Sequence, residues 1–115
     1  MDPQNRTARF DIEPGASRAN LRDVFHRIGD YCRRTAGHAV IVRVAGYVAV
    51  SSEQLLSAVA SLAASGCPDG FKLAWVTAHR GMFDALVQTE YPTTRSGITA
   101  RAFLDESSAH RWLSW

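Results

Sequence analysis

A chain of 115 residues, 46% hydrophobic and 21% charged, suits one globular domain whose core needs neither disulfide nor metal to hold it. The net charge of +2, with Lys72 the only lysine among arginines, is too slight to favour nucleic acid, which asks for a concentrated basic face. No apolar run approaches the roughly 20 residues of a membrane helix, so no membrane span is expected. Met1 to Asn5 are polar without a signal-peptide pattern, and the expected location is the cytoplasm.

Residues 1–7 read as a polar N-terminal tail and 8–115 as a single domain. Ala8-Arg9-Phe10-Asp11-Ile12 alternates, with Phe10 and Ile12 on one side, which predicts a half-buried strand at a sheet edge. Pro14-Gly15 ends it and Ser17 is placed to cap a helix over 18–35. That helix carries Leu21, Val24, Phe25, Ile28, Tyr31 and Cys32 on one stripe, and Gly37 is its natural stop. Ala39 to Val44 (AVIVRV) is a β-branched run of the kind covered on both faces. Gly46 breaks it, with residues 47–50 an irregular extension.

A second helix is expected over 52–65, with Leu55, Leu56, Val59, Leu62 and Ala63 inward. Gly66 closes it, and Pro68-Asp69-Gly70 is turn chemistry. Phe71 to Val76 (FKLAWV) reads as a third strand. A third helix follows over 79–90, facing Met82, Phe83, Leu86 and Val87 inward, and Pro92 prevents its continuation. Ile98 to Leu104 is a fourth strand, and Asp105 caps a short helix holding Ala109, Trp112 and Leu113. The order βαβαβαβα predicts an α/β fold of four βα units. Its sheet is mostly parallel, joined by right-handed crossovers.

Val44-Ala45-Gly46-Tyr47-Val48-Ala49-Val50-Ser51-Ser52 resembles the strand, loop and helix start of STAS domains of the SpoIIAA type. The ending Ala102 to Leu113 (AFLDESSAHRWL) is similar to their closing strand and helix. The long helix between the first two strands is closer to the SpoIIAA-like branch related to Sec14-type lipid-binding domains. The resemblance implies a (βα) superhelix and a non-enzymatic protein that works by binding. In the antagonist branch a partner kinase phosphorylates a serine at this strand-to-helix corner. In the lipid-binding branch the domain holds an apolar ligand instead. Regulation through a protein partner is therefore the first expectation, and a small apolar or lipid-like ligand the alternative.

The corner departs from the antagonist pattern Asp-Ser-Ser-Gly, since the matching four residues are Val50, Ser51, Ser52 and Glu53. A phosphate on Ser51 or Ser52 would gain from the helix N-terminus but be opposed by Glu53. Ser51-Ser52-Glu53-Gln54 also has the form of a capping box, in which serine and glutamine each satisfy a backbone amide of the other. The cap accounts for what is present, so Ser51, Ser52, Glu53 and Gln54 are read first as a helix start and second as a partner or modification site.

Thr77, His79 and Arg80 follow the third strand, at the carboxyl end where parallel sheets bind ligands, and form a candidate anion site. Ordinary helix capping, with Thr77 as the cap, is the competing reading. His26, His38, His79 and His110 lack metal-ligand spacing, and Cys32 and Cys67 match no zinc or redox motif. No nucleophile elbow or phosphate-binding glycine loop occurs, so no catalytic residue, metal or cofactor is assigned. The arginines of the first helix, interleaved with Asp23 and Asp30, read as a mixed solvated face. Trp75 is expected in the core, Trp112 as the residue that docks the last helix, and Trp115 as a candidate to cover a homodimer surface.

Overall fold

The computed structural model describes residues 8–12, 18–35, 39–46, 51–64, 71–90 and 97–114. The expected elements at Ser17, Gly37, His38, residues 47–50, Gly66, Cys67, Pro68 to Gly70, Pro92 and Trp115 lie outside them, as does the tail. The chain runs β1 (Ala8–Ile12), α1 (Arg18–Thr35), β2 (Ala39–Val44), α2 (Ser52–Ala64), β3 (Phe71–Val76), α3 (Arg80–Val87), β4 (Ile98–Phe103) and α4 (Glu106–Leu113). This is the α/β alternation that the hydrophobic periods predict.

All strands pair in parallel, in the spatial order β1-β2-β3-β4. Each connection thus returns to the neighbouring strand, and the backbone winds as a (βα) superhelix. Right-handed crossovers of that kind put their helices on one face of the sheet. The larger core is built so: Leu21, Phe25 and Ile28 of α1, Leu55, Val59 and Leu62 of α2, and Met82 and Leu86 of α3 join Val40, Val42, Leu73, Trp75, Ile98 and Ala100. Alternate strand residues point the other way. There Ile41, Ala74 and Val76 enclose Ala109 of α4, with Phe103, Trp112 and Leu113 packed around them. The expected docking role of Trp112 is visible in its contacts, with its ring 5.6 Å from that of Phe103 and 5.4 Å from Lys72 Nζ.

The ends of α3 and β4 differ from expectation. The third helix ends at Val87, where the turn tightens: the Thr89 amide and hydroxyl both donate to the Leu86 carbonyl, at 3.0 and 2.7 Å. That turn leaves Glu90 beside β4, where its Oε2 accepts from the Ala102 amide at 2.8 Å. At the far end β4 stops at Phe103, and Leu104 is exposed. Asp105 then caps α4, accepting from the Ser108 amide at 2.8 Å and its hydroxyl at 3.1 Å. These two bonds hold the Asp105 carboxyl below the usual carboxylate range.

The outward face of α1 is the solvated mixture its sequence predicts: Arg22, Arg27, Arg33 and Arg34 are exposed. Arg27 pairs with Asp23 at 2.8 Å, and Arg33 pairs with Asp30. Exposed pairs of this spacing each contribute roughly 0.3–0.5 kcal/mol. Cys32 is buried. Gly46, just beyond β2, has φ 75°, a conformation that side chains resist. Among the described residues no helix is long and apolar enough to cross a membrane.

Candidate functional site

The helix start at Ser51 has capping-box geometry. The Gln54 amide donates to Ser51 Oγ at 3.1 Å, and the Ser51 amide donates to Gln54 Oε1 at 2.8 Å. The Leu55 amide then closes the first turn on the Ser51 carbonyl at 3.1 Å. Ser51 and Glu53 are exposed and Gln54 is half-buried; Ser52 opens α2, and its side chain is not among those described. Ser51→Ala removes one of the two reciprocal bonds, and urea denaturation is expected to show a loss of about 1 kcal/mol.

The same corner lines a cleft of about 650 Å³. One wall is α1, through Leu21 and Arg22, and the other is α2, through Ser51, Glu53, Gln54, Ser57, Ala58 and Ser61. Leu21 is buried and belongs to the core, so the cleft reaches down to the packed interior between the helices. Polar and apolar surface share its lining about equally, with Arg22 on one helix and Glu53 on the other giving the walls opposite charge. Among the described residues its apolar side chains are Leu21 and Ala58.

Of this lining, Ser51, Glu53 and Gln54 stand out in the sequence, and the rest do not. Arg22 read as one more residue on a solvated face, and Leu21 as core only. The available signal was the flank of α2: Gln54, Ser57, Ala58 and Ser61 recur at helical spacing and are all short or polar. Ser61 donates to the Ala58 carbonyl at 2.6 Å, a local bond common for serine within helices.

The second candidate set is arranged for capping. Thr77 is buried, and its Oγ1 accepts from the His79 amide at 3.2 Å. The cap of α3 is His79 itself, whose Nδ1 accepts from the Met82 amide at 3.2 Å. This corrects the assignment of the cap to Thr77. An imidazole reaches a helix amide only with room to fold back. Gly81 supplies that room, since a Cβ there would lie 3.2 Å from the His79 ring. The amide that would have met an anion at Met82 is thus already bonded. Arg80 and His79 are exposed, while Thr77 is turned inward.

Comparison of the chain with family models, with curated proteins and with solved structures finds no match.

Proposed function

We propose that this protein is a binding and regulatory module, without catalytic activity of its own, that seats a segment of a protein partner in the cleft between α1 and α2. The observation that carries this reading is the cleft itself: about 650 Å³, open to solvent, with hydroxyls, an amide and charges of both signs along its walls. A surface of that kind suits an extended or helical segment with its own polar groups. Short side chains at Ser57, Ala58 and Ser61 let its backbone come close. The resemblance of the corner to STAS domains supports the same use. The apolar or lipid-like ligand draws less support, because enclosed apolar walls are what such a ligand needs.

The test is site-specific photocrosslinking in the native host, with the reactive group at Ser57, at Ser61 and, as control, at His110 on α4. One discrete protein adduct from the two cleft positions and none from the control is the expected result. S57R should abolish that adduct when the group is at Ser61. Adducts that form equally from all positions, or persist with S57R, would refute the cleft as the binding site. Intact-mass analysis of the same protein addresses Ser51: a phosphate increment lost in S51A would make the corner a switch that regulates the cleft.

A further inference from the structure

We propose that the outer edge of β1 pairs antiparallel with β1 of a second copy, joining two sheets about a twofold axis at Phe10. The sheet has two edges, and they differ. At β4 the Ala102 amide is held by the Glu90 carboxylate, which blocks that edge against a further strand. At β1 the inward direction is fixed by the Ala45 amide, which donates to the Ile12 carbonyl. Hydrogen-bonding direction alternates along a parallel strand, so Ala8, Phe10 and Ile12 face β2 and the backbone groups of Arg9 and Asp11 face outward.

The sequence of β1 is complementary to itself in the antiparallel sense. About an axis at Phe10, Arg9 of each copy lies opposite Asp11 of the other, and Ala8 opposite Ile12. The outward amides and carbonyls of Arg9 and Asp11 form the hydrogen-bonded pairs, and their side chains meet as opposite charges on one face. Directly opposed charges of unlike sign stabilise such pairs, and like charges oppose them. Arg9 and Asp11 are both exposed on the α4 side of the sheet, Arg9 against Glu106 at 3.0 Å and Asp11 against Arg43 at 3.9 Å.

On the other face, Phe10 is half-buried and packs edge-on against Tyr31 of α1, ring centroids 6.2 Å apart. The axis places Phe10 beside its own copy in a non-hydrogen-bonded pair, where side chains approach most closely. The dimer thereby covers aromatic surface that a single copy leaves half in water. Five residues of edge make a small interface, so the association is weak and depends on concentration. This contact is independent of the cleft reading.

Sedimentation velocity of the full chain over a wide concentration range tests the proposal, with residue-resolved amide exchange on the same samples. The expected result is a monomer–dimer equilibrium in which the Arg9 and Asp11 amides gain protection as the dimer fills. R9D and D11R each leave like charges opposed and should weaken self-association about tenfold or more. Mixed together, the two variants are complementary along the whole strand and should associate again. A chain that stays monomeric, a dimer without protection at Arg9 and Asp11, or variants that do not associate on mixing would overturn the proposal. The exchange measurement uses the unaltered chain and holds even if a variant fails to fold.

Discussion

Trp75→Ala is expected to cost about 3–5 kcal/mol, as large aromatic deletions from packed cores do. Against a total stability of roughly 5–15 kcal/mol for a domain, that loss removes a large share of the margin. Trp75 is fully buried in β3, its ring centroid 5.6 Å from that of Phe25 on α1. It therefore joins the sheet to the helix that forms one wall of the cleft. Trp75→Phe separates two contributions. The indole Nε1 has no hydrogen-bond partner among the described residues, and an unsatisfied buried donor costs about 1–3 kcal/mol. Phenylalanine loses volume but also removes that donor, so W75F should remain within about 1.5 kcal/mol of the parent. Equilibrium urea denaturation of the two variants gives both numbers. A W75F loss equal to that of W75A would refute this separation of the two contributions.

What the sequence disclosed follows from which forces are local. The starts and ends of the elements were legible because burial imposes a period of two or 3.6, and β1, α1, β2 and β3 begin and end where that period does. The end of α3 was not legible, because it depends on Thr89 bonding back to Leu86 and on Glu90 reaching β4. Strand order was closed to the sequence as well: crossover rules fix handedness and leave open which strands are neighbours. The capping box could be read because all its partners lie within four residues. The cleft could not, because its walls come from helices thirty residues apart in the chain, and only their packing brings Arg22 and Ser57 to one cleft. The His79 cap shows the same limit at short range, since threonine outranks histidine as a cap until the space above Gly81 is known.

Ala109→Glu is the second large effect, and it acts on the opposite face of the sheet. Ala109 is fully buried, with Ile41, Ala74 and Val76 against it. A carboxylate cannot stay charged in that apolar contact, and a side chain of that length does not fit where a methyl group fills the gap. An eight-residue helix is marginal on its own, so the least costly response is for α4 to leave the sheet. The loss is then bounded by what docking of α4 contributes, expected at about 3 kcal/mol or more from the burial of Ala109, Trp112 and Leu113 and the Lys72 contact. Trp112 should move into water and its fluorescence shift to the red, while Trp75 stays buried on the far side. Ala109→Gly keeps the close approach and should cost only about 1 kcal/mol, mostly from helix propensity. An unshifted Trp112 signal in A109E would mean that the helix holds by other contacts. The cleft is built from α1 and α2 on the other face, so A109E protein is expected to retain the crosslink at Ser61 that S57R abolishes. Partner capture surviving the release of α4 would assign the two faces of one sheet to separate tasks.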